Sequence, residues 1–153
     1  MGKSSCYSAL LHEAEMLLGE GGKYIPDQIG RMAISAAILF RHLPDLVFAG
    51  YYINQESELI IGPYQGNIIA CTPIQMGKGA CGTCVKKREP IIIPDVRNYP
   101  NYIACDGETL SEIVLPVFVN NNLIGVLDID GRHADQFNDD DAQQLTTFLR
   151  MIF

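Results

Sequence analysis

The sequence is short of basic residues, and this shortage bears on the partners it can have. Its 153 residues include 11 lysines and arginines against 18 aspartates and glutamates, a formal net charge of −7. Phosphate backbones are bound by a basic face. Here only Lys86-Lys87-Arg88 forms a basic cluster, and such a cluster is typical of a solvated helix end. We therefore expect no nucleic-acid partner.

Long apolar runs are also missing, although 48% of the residues are hydrophobic. A helix that spans a bilayer needs about 20 consecutive apolar residues. The longest candidate, Ala33 to Phe40, is far shorter and is interrupted by Ser35. The first residues contain no apolar stretch of the kind found in secretory signals. We therefore expect no membrane partner and a globular protein.

The five cysteines are an odd number, which does not suggest a set of structural disulfides. Without a secretory signal, the expected location is the reducing cytoplasm, where persistent structural disulfides are uncommon. Thiols there are more often catalytic or metal-binding. Cys71, Cys81 and Cys105 are the candidates for such chemistry, whereas Cys6 and Cys84 also fit the role of small buried apolar residues.

Hydrophobic periodicity predicts helices near both ends of the chain. The first runs from about Cys6 to Leu18, where glycines end it, and the second starts near Pro26 and reaches Phe40. The last helix starts at about Asp139, with Asn138 or Asp139 itself as the cap.

The central part of the chain has the alternation and turn residues of β-structure. A short helix is expected to begin near Cys81, and a long loop from Tyr99 to Thr109 carries Cys105. The predicted strands are Leu46–Ile53, Leu59–Tyr64, Asn67–Thr72, Ile91–Ile93, and a hairpin of Ile113–Asn120 with Leu123–Asp130 around Asn121-Asn122. Together these elements predict an α+β fold in one domain, residues 1–153, with a central antiparallel sheet flanked by N- and C-terminal helices.

Acidic residues recur on the predicted hairpin. Residues two apart on a strand share a face, so Asp128 and Asp130 point the same way, and Glu112 lies on the partner strand. Buried carboxylates are costly unless they are paired, which favours a cationic ligand. Two other interpretations remain open from the residues alone: the acids face solvent or cap the turn, or they form a metal site with His133.

The segment from Gly77 to Gly82 matches G-x-G-x-x-G, but Pro73 interrupts the approach and the helix that follows is short. The pattern therefore does not favour a dinucleotide site. The glycines fit better a backbone that approaches a small ligand, with the Cys81 thiolate favoured by a helix N-terminus. Cys81 and Cys84 form one C-x-x-C pair, which is redox-active or half of a zinc site with Cys71 and Cys105.

Read together, several segments resemble the free methionine-(R)-sulfoxide reductases, enzymes built on a GAF domain. The resemblance extends from about Leu10 to the C-terminus and combines the cysteine spacing with an Asp-Ile-Asp strand. It is carried by residues 61–66 (Ile-Gly-Pro-Tyr-Gln-Gly), 69–71 (Ile-Ala-Cys), 77–83 (Gly-Lys-Gly-Ala-Cys-Gly-Thr), 103–106 (Ile-Ala-Cys-Asp), 111–116 (Ser-Glu-Ile-Val-Leu-Pro) and 124–130 (Ile-Gly-Val-Leu-Asp-Ile-Asp).

The resemblance implies a role for each candidate residue. Cys105 is the expected nucleophile, Cys71 the expected recycling thiol, and Cys81 a thiol that pairs with either. The substrate-binding residues implied are Glu112, Asp128, Asp130, Phe48 and Tyr52. Two positions depart from the family: Phe48 replaces a tryptophan, and Cys84, an additional candidate resolving thiol, replaces a small residue.

The implied activity is the reduction of free L-methionine-(R)-sulfoxide through a sulfenic acid and a disulfide, recycled by a thioredoxin-like reductant. Crowded acids raise one another's pKa, so one can donate a proton while the others bind the substrate ammonium group. No cofactor is expected, and the family implies a homodimer. The alternatives are a non-enzymatic GAF module that binds a small molecule, or a redox sensor without turnover.

Overall fold

The computed structural model describes residues 2–20 and 27–153. Its four α-helices are α1 (Lys3–Leu18), α2 (Gln28–His42), α3 (Gly79–Lys87) and α4 (Asp139–Ile152), with a short 3₁₀ helix at Val96–Asn98. Its six strands are β1 (Leu46–Gln55), β2 (Glu58–Gly66), β3 (Ile74–Gln75), β4 (Ile91–Ile93), β5 (Ser111–Val119) and β6 (Asn122–Gly131). The strands form one antiparallel sheet in the order β3-β2-β1-β6-β5-β4, which confirms the predicted α+β fold.

The sheet separates two apolar clusters, because alternate residues of its central strands point to opposite faces. Leu127 and Ile129 of β6 belong to the larger cluster, which the helices α1, α2 and α4 cover. Val126, which points to the opposite face, belongs to the smaller cluster, which α3 covers. Asp128 and Asp130 therefore point toward α3, away from the main core.

Capping side chains define where two of the main-core helices begin. Asp27 accepts a hydrogen bond from the backbone N–H of Gly30 at the start of α2. Asn138 caps α4, as predicted, and forms a reciprocal capping box with Asp141. Asp141 is buried and also accepts hydrogen bonds from Tyr7 and Lys3, so the cap joins α4 to α1.

Two local predictions are wrong. Residues 67–73 form no strand but connect β2 to the short β3, and the backbone N–H of Ile61 donates to the Thr72 side chain rather than to a strand partner. The tight turn of the β5–β6 hairpin is at Asn120-Asn121, where both residues have positive φ, one position before the predicted pair. Pro26, predicted for the start of α2, lies outside the described residues.

None of the helices in the described part of the chain combines the length and the apolarity needed to cross a membrane. The basic cluster at Lys86-Lys87-Arg88 is at the exposed C-terminal end of α3, as its sequence predicted.

Candidate active site

A cleft opens on the side of the sheet that faces α3. Its lining includes all of the predicted site residues except Cys71: Phe48, Tyr52, Cys81, Cys105, Glu112, Asp128 and Asp130. The loop after the 3₁₀ helix supplies Tyr102, Ile103 and Asp106, and the start of α3 supplies Lys78, Gly79 and Ala80. Residues distant in the sequence thus meet at one cleft.

The floor of the cleft is a group of three carboxyl side chains on β5 and β6, which we call the acidic trio: Glu112, Asp128 and Asp130. Glu112 pairs directly with Asp130 across the two strands. The three residues are only 6%, 6% and 9% exposed, so the alternative that the acids face solvent is wrong. The Oδ1 atom of Asp128 is buried and accepts no hydrogen bond from any described residue.

Burial controls the protonation of the acidic trio. Desolvation, and then the charges of Asp128 and Asp130, raise the pKa of Glu112 well above its usual value. Burial also raises the pKa of Asp130, with added contributions from Asp128 and Asp106. The pKa of Asp128 rises only to about 7, because the adjacent Cys81 thiol and Glu112 carboxyl partly offset its desolvation. The trio therefore retains protons near neutral pH.

Cys81 lies directly above this floor, on α3. Its sulfur and one carboxyl oxygen each from Glu112 and Asp128 all lie within 4.8 Å of one another. Burial, followed by the negative charge of the trio, raises the pKa of the Cys81 thiol well above its usual value. The prediction of a thiolate at this helix N-terminus is therefore wrong, since desolvation and the acids outweigh the helix dipole.

Cys71 and Cys105 form a disulfide, with their Cα atoms 5.5 Å apart. It links residues 67–73 to the loop that follows the 3₁₀ helix. The hydroxyl of Tyr52 donates to the backbone oxygen of Cys71 at 2.9 Å, which holds this segment against β1. Because two of its four proposed ligands are bonded to each other, the four-cysteine zinc site is not formed in this state.

The remaining cysteines are buried away from the disulfide. Cys84 is fully buried on α3, and Cys6 is 8% exposed on α1. Desolvation is the main cause that raises the pKa of Cys84. Both side chains fit the interpretation of small apolar residues.

An aromatic wall stands beside the acids. Phe48 pairs with Asp130 across β1 and β6, is almost fully buried, and stacks on Tyr64 with ring centroids 5.1 Å apart. Gly50, next along the same face, makes this arrangement possible. A Cβ atom there would lie 2.2 Å from Cβ of Tyr64 and 2.9 Å from the Phe48 ring.

The structure does not support the metal site with His133 or the dinucleotide site. His133 lies beside Asp45, with its side chain 67% exposed, and does not line the cleft. The G-x-G-x-x-G segment is preceded by a strand of two residues, and the nine-residue helix α3 begins within it at Gly79. A Cβ atom on Gly82 would come within 2.5 Å of the Gln75 carbonyl oxygen. Gly82 is therefore needed for a tight loop rather than for a dinucleotide.

Sequence reasoning assigned no role to two residues that shape the loop carrying Cys105. Asp106 accepts hydrogen bonds from the backbone N–H of Glu108 and Thr109, at 2.6 and 2.8 Å, and turns the chain back toward β5. Asn101 donates from its side chain to the carbonyl oxygen of Gly77 at 3.1 Å, which ties the loop to the start of α3. An aspartate followed by N–H groups two and three residues later is a common turn signal, whereas the Asn101 contact has none.

Comparison with known proteins agrees with this geometry. The GAF domain family model matches residues 24–152. The chain is 38% identical to the free methionine-R-sulfoxide reductase of Escherichia coli, across 99% of this chain and 89% of that protein. It is 46% identical to the enzyme of the same name from Saccharomyces cerevisiae, across 71% and 62%. The solved free methionine-R-sulfoxide reductase of Neisseria meningitidis in complex with its substrate superposes with a TM-score of 0.89 at 32% identity, across 99% and 89%.

Proposed function

Since the chain belongs to the GAF-domain family of free methionine-R-sulfoxide reductases, we propose that it reduces free L-methionine-(R)-sulfoxide to methionine and that Cys105 is the nucleophile. The observation that carries the assignment of residues is the position of the Cys71–Cys105 disulfide, whose Cys105 half lines a cleft floored by three buried carboxyls. Thiol chemistry and proton donation are thus available at one place.

Substrate binding follows from the charge of the floor. The ammonium group of a free amino acid compensates the negative charge of Asp128, the carboxyl of the trio whose pKa stays near 7, and it supplies a donor for the unpaired Oδ1 of Asp128. The α-carboxylate points to the first N–H groups of α3, at Gly79 and Ala80, which line the opposite side. A methionine residue within a peptide has no ammonium group, so it leaves a buried carboxylate unpaired.

The sulfoxide reduction needs a nucleophile and a proton. The Cys105 thiolate attacks the sulfoxide sulfur, and the sulfoxide oxygen takes a proton from the acidic trio, whose raised pKa values keep a proton available. The hydroxyl passes to Cys105, and methionine leaves as the thioether. Cys105 is then a sulfenic acid, because it has lost the two electrons that the sulfoxide has gained.

Regeneration uses the second thiol. Cys71 attacks the Cys105 sulfenic acid, water leaves, and the disulfide of the structure forms. A thioredoxin-like dithiol reduces it, which is consistent with a reducing, cytoplasmic setting. We further propose that Phe48 and Tyr52 pack on the methionine side chain, that Cys81 is an alternative resolving thiol, and that the active protein is a homodimer with one domain in each chain.

The test is an assay of methionine formation from free L-methionine-(R)-sulfoxide with dithiothreitol as reductant. We expect turnover by the wild type and by Cys6→Ser, a matched control at a buried cysteine on α1, and none by Cys105→Ser. The N-acetylated sulfoxide, which lacks the ammonium group, should be a poor substrate. Absence of wild-type turnover, or full turnover by Cys105→Ser, would contradict the proposal and favour a binding or sensing module.

A further inference from the structure

The two segments that carry the half-cystines have no charged side chains. Residues 59–77 contain no Asp, Glu, Lys or Arg, and neither do residues 98–105, although 19% of the whole chain is charged. The Cys71 side of the disulfide is therefore uncharged, whereas on the Cys105 side the charged Asp106 follows directly. The cores of protein–protein interfaces are likewise depleted of charged residues.

Each half-cystine is the last residue of the same tripeptide, Ile-Ala-Cys, but the isoleucine is packed differently in the two segments. Ile103, before Cys105, packs into the smaller apolar cluster and contacts Gly79. Ile69, before Cys71, is 85% exposed, more than the other exposed large hydrophobic side chains of the described residues, of which Met16 comes next at 60%. One exposed apolar residue is ordinary, but this one is two positions from a reactive sulfur within an uncharged surface.

The backbone beside Ile69 is available for pairing. Within the described residues, no backbone–backbone hydrogen bond involves residues 67–70. The segment is held instead by the packing of Ile68 and Ala70 against the smaller apolar cluster. At its far end it is also held by the contacts of Tyr52 with Cys71 and of Ile61 with Thr72. A segment with unpaired N–H and C=O groups is a place where a partner can add main-chain hydrogen bonds.

We propose that residues 67–70, with Ile69 as the anchor, and the adjacent exposed Ala104 are the docking surface for a protein dithiol of the thioredoxin type. This inference rests on the proposed function, which makes the Cys71–Cys105 disulfide the product of each turnover. The occupant is a dithiol protein with an uncharged face around its own thiols, because this surface offers apolar and main-chain contacts and no charge.

The position of the two sulfurs decides which of them is attacked. Cys105 lines the cleft above the acidic trio, whereas Cys71 does not line it. The reductant thiolate attacks Cys71, Cys105 leaves as a thiolate and takes up a proton, and a mixed disulfide with Cys71 results. The second thiol of the reductant then breaks this mixed disulfide, so that both cysteines are reduced and the partner carries the new disulfide.

The test compares a protein reductant with a small one on the pre-formed disulfide. The oxidised wild type, Ile69→Gln and Met16→Gln are mixed with reduced thioredoxin or with dithiothreitol, and the appearance of the Cys71 and Cys105 thiols is followed by mass spectrometry after alkylation. Met16→Gln is the matched control, because it replaces another exposed apolar side chain, on α1, by the same glutamine.

For Ile69→Gln we expect reduction by thioredoxin to be slower by about tenfold, the loss typical of one interface anchor residue, with an unchanged rate for dithiothreitol. Met16→Gln should match the wild type with both reagents. Equal slowing of Ile69→Gln with both reagents, or no slowing with thioredoxin, would overturn the inference. The assay uses no sulfoxide, so its outcome is independent of whether the protein forms methionine. A failure of the docking inference is thus distinguished from a failure of the proposed function.

Discussion

At the scale of single residues, Glu112 is the carboxyl whose protonation matters most. It pairs with Asp130 across the hairpin, and burial with the neighbouring charges keeps its pKa well above the usual value. A protonated carboxyl in this place can both donate a proton and tolerate its apolar surroundings.

Glu112→Gln keeps the shape of the side chain and removes its acidic proton. We expect kcat/KM for free methionine-(R)-sulfoxide to fall by on the order of 100-fold, a common size for the loss of a general acid. The melting temperature should not fall, because a neutral amide replaces a group that is costly to bury when charged. Steady-state kinetics and thermal unfolding measure the two effects, and an unchanged kcat/KM would remove Glu112 from the reaction.

Cys84 is a thiol at a position where the reductase family usually has a small residue. The side chain is fully buried and its pKa is raised, so it is a poor nucleophile. We expect Cys84→Ala to retain turnover within about twofold and to lose on the order of 1 kcal/mol of stability from the smaller side chain. Loss of turnover in this variant, with normal disulfide formation in Cys6→Ser, would instead make Cys84 a resolving thiol.

Part of this residue-level chemistry is readable from the sequence. The period of two along β6 placed Asp128 and Asp130 on one face, and the structure agrees. The alternation along β6 does not tell whether the face with the acids is buried, because its burial depends on where α3 packs. The thiol form of Cys81 was missed for the same reason, since only the folded chain brings the acids beneath it.

At the scale of elements, α4 and its cap belong to the face opposite the cleft. Asn138 accepts hydrogen bonds from the backbone N–H groups of Asp140 and Asp141, at 2.9 and 3.3 Å. The helix packs into the larger apolar cluster, so its stability and the chemistry of the cleft are separable.

Asn138→Ala removes the cap of α4. We expect a loss of about 1 kcal/mol in the free energy of unfolding and unchanged kcat/KM. Thr147→Ala, an exposed position in the same helix, is the control and should change stability less. Urea unfolding followed by circular dichroism measures both variants. A tenfold loss of kcat/KM in Asn138→Ala would mean that α4 and the cleft are coupled.

Elements with strong periodicity or clear caps were predicted to within a few residues, as α4 and the β5–β6 hairpin illustrate. Residues 67–72 were not, because their apolar residues suggested a strand. Here Ile69 is exposed and Cys71 is held by a disulfide and by Tyr52. A long-range covalent bond and a side-chain contact override a local preference that short segments express only weakly.

At the scale of the whole molecule, the buried acids make stability depend on pH. The pKa of Asp128 is about 7 in the folded protein, against 3.8 for a free side chain, so between these values the folded state binds more protons than the unfolded state. The stabilising contribution of Asp128 is then fully present below about pH 4 and is lost as the pH rises to about 7. Glu112 and Asp130, with pKa values raised by burial, act in the same direction.

We expect the free energy of unfolding to decrease between pH 5 and pH 8, with Asp128 alone contributing about 3 kcal/mol of that decrease. Asp128→Asn should flatten this decrease, whereas Asp140→Asn, at an exposed position of α4, should not. Urea unfolding of the oxidised proteins at a series of pH values gives the comparison. Parallel curves for the wild type and Asp128→Asn would show that the Asp128 carboxyl does not titrate as the structure indicates.

The Cys71–Cys105 disulfide connects residues 34 positions apart, and closing a loop of that length restricts the unfolded chain by roughly 4 kcal/mol in the chain-entropy description. If this bond is made and broken once per turnover, the protein alternates between a more robust and a more fragile form as it works. Its melting temperature then reports the fraction of molecules in which the disulfide is formed. When reductant is scarce, the protein would accumulate in the oxidised form, which resists heat and proteolysis better. This form would become active again once reductant is restored.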